Sequence, residues 1–356
     1  MKNTHILIMA GGIGSRFWPY SRNYKPKQFL DILGTGRTLI QQTYDRLIPI
    51  CNPSNIWIVT NESYKNLVKS QLPDITDEQI LYEPIGKNTA PCIAYGCYKI
   101  YAKHKNSNII IVPADHIILK ENVFHSILER ALKYVDDNNN NNLVTLGMMP
   151  TRPDTGYGYI EYGNEEIKGI NYVKTFTEKP NRELAEEFIN SGNYLWNSGM
   201  FIWNLDTIIE SFKTHALSLH ELFMSGMNLY YTNDEREFIK NIYDKCPSIS
   251  IDYAIMEKAN NVRIIPASFG WSDVGTWSSV YELKNHDENE NALSSDNIIL
   301  NNCTNNIVET PKDKLVIIEG LDDYIVVDAN DALLICRKIN EQKIKQYIQN
   351  IDMKFK

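Results

Sequence analysis

Short β-favouring runs alternate with helix-patterned segments through the first 150 residues, and this alternation constrains the fold more than any other feature. Residues 5–9, 55–60, 79–82, 108–112 and 143–148 read as strands. Between them, residues 38–48, 61–72, 89–104 and 120–136 carry apolar positions at helical spacing. The pattern is that of an α/β domain built on a parallel sheet. The asparagine run 138–142 joins a helix to a strand and reads as a surface loop. From about residue 157 the pattern becomes mixed, with strands near 157–161, 171–177 and 199–203 and helices near 181–191, 205–216 and 232–243. This stretch reads as an elaboration of the same domain.

The character changes near residue 290. Ile298, Ile307, Val316, Ile325 and Leu334 recur at intervals of nine, with Asn, Asp and Gly turns between them. Such spacing predicts a small β-solenoid or β-sandwich, with an antiparallel meander as the alternative. A polar helical pattern follows near 340–351. A length of 356 residues accommodates this division, which we place at 1–288 and 289–356, the second unit ending in a helix.

The net charge is −8, which argues against a nucleic-acid partner but not against a small phosphorylated ligand. The charge is uneven. The first 30 residues contain no acid and five cations, so that segment is +5 and the remainder −13. The six cysteines form no CxxC pair and no zinc-ligand spacing, and read as reduced thiols. The apolar run 6–10 is too short for a signal-peptide core, and no stretch approaches a membrane span. The expected location is cytoplasmic, with neither membrane nor nucleic acid as a partner.

The first strand runs into Gly11-Gly12-Ile13-Gly14-Ser15-Arg16. Glycines let backbone amides approach phosphate oxygens closely. Neither a Walker loop nor a dinucleotide fingerprint fits, since Phe17 stands where the latter needs its third glycine. Arg16, Arg22, Lys25 and Lys27 follow within a few residues, and crowded cations call for a polyanion unless solvent alone screens them.

The segment from Met9 through Arg22, followed by Pro26-Lys27-Gln28-Phe29-Leu30, resembles the signature of mannose-1-phosphate guanylyltransferases. Further similar blocks follow in family order: Glu83-Pro84-Ile85-Gly86-Lys87-Asn88, Pro113-Ala114-Asp115-His116, Gly156-Tyr157-Gly158-Tyr159, Phe176-Thr177-Glu178-Lys179-Pro180, Trp196-Asn197-Ser198-Gly199 and Gly270-Trp271-Ser272-Asp273. Together they span most of residues 5–280. Lys87 stands where the family usually has Arg, which exchanges one cation for another. The resemblance implies a Rossmann-like nucleotidyltransferase domain with a mixed, mainly parallel sheet. It also implies transfer of GMP from GTP to mannose 1-phosphate, with release of pyrophosphate.

In that reaction the attacking sugar phosphate is already an anion, so positioning and charge neutralisation matter more than a general base. Arg16 and Lys27 are expected on the triphosphate and the developing pyrophosphate, with the amides of Gly11, Gly12, Gly14 and Ser15 cradling the same groups. Asp115 follows a strand at the edge where α/β sheets bind ligands, and can hold Mg²⁺ or another divalent cation; a plain turn residue is the alternative. The resemblance adds Asp273 as second metal ligand, against the alternative of a helix N-cap. Glu83 can accept the two adjacent donors of guanine, or is a surface residue before a proline; Asn88 belongs to the same nucleotide block. Glu178, Lys179, Asn197, Tyr157 and Gly158 are expected around the sugar phosphate, with an exposed Glu178–Lys179 ion pair as the plainer reading. Trp196, Trp271 and Trp277 read as pocket walls or core, and Asp252 matches a family block without an assigned role.

The alternatives are transfer to another sugar phosphate or from another nucleotide, a glycosyltransferase, and a non-catalytic relative. Longer relatives carry an isomerase domain, which the length to Lys356 does not accommodate, so transferase activity alone is expected. The oligomeric state is not fixed by the sequence; a homodimer is compatible with it.

Overall fold

A computed structural model describes residues 3–137, 141–167 and 169–356, so Lys2 and residues 138–140 of the asparagine run lie outside the described residues. Nine strands form the main sheet: β1 (Thr4–Ala10), β2 (Ile56–Asn61), β3 (Ile80–Glu83), β4 (Asn108–Pro113), β5 (Leu143–Met148), β6 (Tyr159–Ile167), β7 (Ile170–Thr177), β8 (Tyr194–Asn204) and β9 (Val262–Ala267). Their spatial order is β3-β2-β1-β4-β8-β5-β9-β7-β6. The first four strands pair in parallel, with Ile6 opposite Ile56, Thr4 opposite Asn108 and Ile58 opposite Ile80. These strands are buried on both faces, as helix-covered parallel strands must be.

Alternate side chains of β1 enter two cores. Ile6 and Ile8 meet Phe124, Leu128 and Leu132 of the helix Glu121–Asp137, whereas Leu7 meets Ile93, Cys97 and Ile100 of the helix Thr89–Lys103. Period-two alternation in the strand thus recruits a helix to each face. Gly96 permits the second contact, since a Cβ there would lie 2.4 Å from Leu7.

The sheet is mixed, but among the described residues four ladders are parallel and five antiparallel, so "mainly parallel" describes only its first half. The reason lies in β8, which runs against both β4 and β5, and in β6 and β7, which follow each other too closely for a crossover. No helix among the described residues is long and apolar enough to cross a membrane.

The C-terminal unit contains β10 (Ala292–Leu293), β11 (Ile298–Asn301), β12 (Ile307–Glu309), β13 (Val316–Glu319), β14 (Tyr324–Asp328) and β15 (Leu333–Arg337). Ile298 pairs in parallel with Val316, and Ile307 with Ile325, so one coil advances 18 residues. The nine-residue repeat is therefore half a coil, and Ile298, Ile307, Val316 and Ile325 alternate between two ladders. Buried asparagines support the corners: Asn306 Nδ2 donates to Asn291 Oδ1 at 2.9 Å, while Asn306 Oδ1 accepts from the Tyr324 amide at 2.8 Å. Only the last pair, β14 with β15, is antiparallel. The helix expected near 340–351 is broken into a 3₁₀ turn Lys338–Lys343 and a single α-turn Ile344–Tyr347.

This unit packs on the glycine-rich segment. Phe17, Leu30 and Trp277 share one apolar cluster with Ile307, Ile325, Val327 and Ile344. Arg22, 3% exposed, donates to the carbonyls of Pro19 at 2.6 Å and Phe355 at 2.9 Å and pairs with Asp331 at 2.7 Å. Trp18 Nε1 donates to the Phe355 carbonyl at 2.7 Å.

Candidate active site

The carboxyl ends of β1 and β3 and the residues just after β4 border one cavity of about 460 Å³. Its lining brings together Gly11, Gly12, Glu83 and Asn88 on one side with Tyr157, Gly158, Glu178, Lys179, Asn197 and Asp273 on the other. Lys27 and Asp115 join it through Asp273. Lys27 Nζ lies 2.8 Å from Asp115 Oδ2 and donates to the Asp273 carbonyl at 2.6 Å, with the side chain almost wholly buried. Burial pushes the Asp115 carboxyl up, but Lys27 and His116 outweigh it and hold the group below its ordinary range.

Gly14, Ser15 and Arg16 do not line this cavity. Gly14 adopts φ +68°, and a Cβ there would stand 2.4 Å from Lys27 Cβ, so this glycine lets the loop fold down over the buried lysine. Ser15 opens the 3₁₀ turn Ser15–Phe17, whose Phe17 is buried. Arg16 Nε donates to Gln342 Oε1 at 2.8 Å, and Lys25 is exposed. The four cations thus separate into Lys27 between the Asp115 carboxylate and the Asp273 backbone carbonyl, Arg16 against the C-terminal turn, Lys25 in solvent and Arg22 locked against backbone carbonyls and Asp331.

Glu83 is buried at the end of β3. Oε1 accepts from the Tyr243 hydroxyl at 3.0 Å, and Oε2 lies under Gly11, where a Cβ would approach it to 3.3 Å. Burial raises its pKa from 4.5 to about 7, against the lowering effect of the Tyr243 and Cys92 hydrogen bonds. Asn88, at φ 70°, caps the helix Thr89–Lys103 by accepting from the Thr89 amide at 2.8 Å.

Asp273 Oδ1 accepts from the Tyr157 hydroxyl at 2.7 Å and the Gly275 amide at 2.9 Å. It does not cap the next helix, Trp277–Tyr281, whose N-cap is Thr276. Tyr157 packs at 4.8 Å from Trp196 and 5.4 Å from Trp271, which wall this side; Trp277 instead belongs to the core beside Phe17. Glu178 and Lys179 form an ion pair at the rim, and a Cβ at Gly158 would lie 2.8 Å from Glu178 Oε2, so a larger residue there would displace the Glu178 side chain.

Two further residues belong to the site. Asp252 Oδ1 accepts from Asn197 Nδ2 at 2.8 Å, and Asn197 Oδ1 accepts from the Gly199 amide at 3.1 Å, so the Asn197 amide is fixed from both ends. Burial, then the nearby Glu178 charge, raises the Asp252 pKa. His116 Nδ1 accepts from Trp271 Nε1 at 3.1 Å, and burial lowers its pKa, favouring the neutral ring. Both residues stand in sequence blocks already singled out; their position in those blocks was the available signal.

Asp115 and Asp273 offer hard oxygen donors on either side of Lys27. No cluster of three metal-ligating side chains occurs among the described residues. This donor set fits Mg²⁺, which typically takes one or two carboxylates and fills its remaining positions with phosphate oxygens and water.

A sheet whose strand ends open on a glycine-lined cavity with a buried lysine between two acids defines a nucleotidyltransferase, and residues 5–290 match the family described as nucleotidyl transferase. Residues 296–351 match the MannoseP isomerase/GMP-like beta-helix domain. The chain belongs to the mannose-1-phosphate guanylyltransferase family. It is 37% identical to a mannose-1-phosphate guanylyltransferase of Salmonella montevideo, over 98% of this chain and 74% of the relative. The corresponding Escherichia coli protein is 34% identical over 98% of this chain and 75% of its own length. Among solved structures, a Thermus thermophilus protein described as a mannose-1-phosphate geranyltransferase superimposes with a TM-score of 0.85 at 29% identity, covering 98% of this chain and 99% of the other.

Proposed function

We propose that the chain transfers GMP from GTP to mannose 1-phosphate, giving GDP-mannose and pyrophosphate. The supporting observation is the Lys27 bridge between Asp115 and Asp273, set beside a cavity that has Glu83 at one end and Glu178, Lys179 and Asn197 at the other. The names of the relatives support the substrate pair.

The sugar phosphate attacks the α-phosphorus in line as an anion, and pyrophosphate leaves. Lys27 neutralises charge on the triphosphate beside the cavity and Arg16 does so from its flank, while the amides of Gly11 and Gly12 orient it and those of Gly14 and Ser15 continue the loop outside the lining. Glu83 accepts from guanine N1–H and the 2-amino group, with Asn88 beside the nucleotide. Tyr157, Gly158, Glu178, Lys179 and Asn197 hold mannose 1-phosphate. Asp115 and Asp273 would hold Mg²⁺, which supplies charge neutralisation and polarisation at the nucleotide phosphates when bound. His116 accepts from Trp271 Nε1 and stands 4.0 Å from Asp115, beyond hydrogen-bond reach. The catalytic domain is placed at 1–288 and the β-repeat domain at 289–356. The cytoplasm is the compartment this reading implies, in keeping with six unpaired cysteines.

A pyrophosphate-release assay across GTP, UTP, ATP and dTTP, each with mannose 1-phosphate and glucose 1-phosphate, tests the reading. GTP with mannose 1-phosphate should exceed every other pair by at least about tenfold in kcat/KM, or roughly 1.4 kcal/mol. A higher rate with another pair overturns it.

A further inference from the structure

The 3₁₀ turn Lys338–Lys343 and the α-turn Ile344–Tyr347 pack against the turn Ser15–Phe17. Two contacts fix them there. Ile344 is fully buried in the cluster that holds Phe17, and Gln342 Oε1 accepts from Arg16 Nε at 2.8 Å. With Ile344 turned inward, the next residue, Lys345, is exposed to solvent.

Partial burial first, then the charges of Arg16 and Lys179, lower the pKa of Lys345. Acids do lie nearby, but they have partners. The Glu341 carboxylate accepts from the Ser278 amide at 2.9 Å and faces Arg16, and Glu178 pairs with Lys179. The C-terminal turn therefore sets Lys345 three residues from Gln342, the partner of Arg16, while Lys179 stands at the cavity rim after the end of β7. Like charges so placed repel until a polyanion arrives, whereupon the same arrangement becomes attractive. Lys179 lines the cavity, and Arg16 follows the glycines of the loop directly.

We infer that Lys345 is a pyrophosphate-binding residue, carried to the site by the C-terminal unit, that acts with Arg16 on the β- and γ-phosphates of the nucleoside triphosphate and on the pyrophosphate released. The inference rests on the nucleotidyl-transfer reading above. It gives the C-terminal unit a direct part in the site in addition to packing.

Calorimetric titration of the full chain with inorganic pyrophosphate in the presence of Mg²⁺ tests it. Lys345→Ala should weaken pyrophosphate binding about tenfold, and Lys345→Arg should restore it to within about threefold. In steady state, the KM for the triphosphate should rise in parallel while the KM for the sugar 1-phosphate stays within about twofold. Because Lys345 is exposed, the thermal midpoint should not move. Unchanged pyrophosphate affinity in Lys345→Ala overturns the inference, as does an equal loss for the sugar 1-phosphate. A weakening that tracks a lowered thermal midpoint also overturns it, since the role is then structural. A wild-type chain that binds pyrophosphate but turns over a different base or sugar corrects the substrate reading and leaves the assignment of Lys345 intact.

Discussion

Lys27 Nζ stands 2.8 Å from Asp115 Oδ2 in a setting where the lysine is almost wholly buried, so each charge depends on the other. The ammonium also reaches the Asp273 carbonyl and so joins the segment after β4 to the segment before the helix Trp277–Tyr281. A charge held this firmly costs little reorganisation when phosphate arrives, which is what electrostatic catalysis requires. Lys27→Ala should lower kcat by about 10²–10³ with a smaller change in either KM. Near-normal turnover would show that the bridge is structural.

If Glu83 accepts from guanine as proposed, the reaction should depend on pH in a defined direction. With a pKa near 7 in the free protein it is about half ionised at neutral pH, and a carboxylate accepting two guanine donors must be ionised. The KM for GTP should therefore rise as pH falls below about 7, approaching tenfold per pH unit, while the KM for mannose 1-phosphate stays flat. Glu83→Gln should flatten this profile and narrow the preference for GTP over UTP; a profile unchanged by the substitution would remove Glu83 from base recognition.

The same group sets a stability difference of known sign. The folded pKa lies above the ordinary value of 4.5, so the native state binds the proton more tightly than the unfolded chain. That stabilisation is complete below pH 4.5 and is lost as pH rises to about 7. Glu83→Gln should consequently be more stable than wild type at pH 8, on the order of 1–3 kcal/mol, with the gain vanishing below pH 4.5. Urea denaturation of both proteins at pH 4 and pH 8 measures it.

Asp252 positions Asn197 through a buried hydrogen bond and lies in a five-residue π-turn, Asp252–Met256. Asp252→Ala should release the Asn197 amide and raise the KM for mannose 1-phosphate about tenfold, with the KM for GTP within about twofold. Equal effects on both substrates would mean a general loss of the cavity wall.

Arg22 tests the link between the two units. Its removal leaves the Pro19 carbonyl without its donor, the Phe355 carbonyl with Trp18 alone and Asp331 without its partner. Arg22→Ala should cost about 2–3 kcal/mol, seen as a fall of several degrees in thermal midpoint. An unchanged midpoint would show that the apolar cluster around Phe17 suffices.

Much of this was legible in the chain wherever the signal was local. The expected strand at 5–9 appears as Thr4–Ala10, and the nine-residue spacing of Ile298, Ile307 and Ile325 marks a solenoid, because burial repeats with the coil. What escaped was non-local. Arg16 and Arg22 look equivalent in sequence, yet one meets Gln342 and the other Asp331 and Phe355, more than 300 residues away. Asp273 resembled a helix cap because the true cap, Thr276, lies only three residues on. The ionisation of Glu83 is set first by burial and then by the Tyr243 hydroxyl, neither of which a local pattern reveals.

The clasp of Arg22 and Trp18 on the Phe355 carbonyl also orders events during synthesis. A nascent chain exposes its glycine-rich loop almost at once, but the contacts of Arg22 and Trp18 with Phe355 form only after the solenoid coils, which precede Phe355, have been synthesised. Shortening or interrupting the repeats should therefore impair an enzyme whose cavity-lining residues are all present. Activity would then report on completion of the distant coils as directly as on the cavity itself.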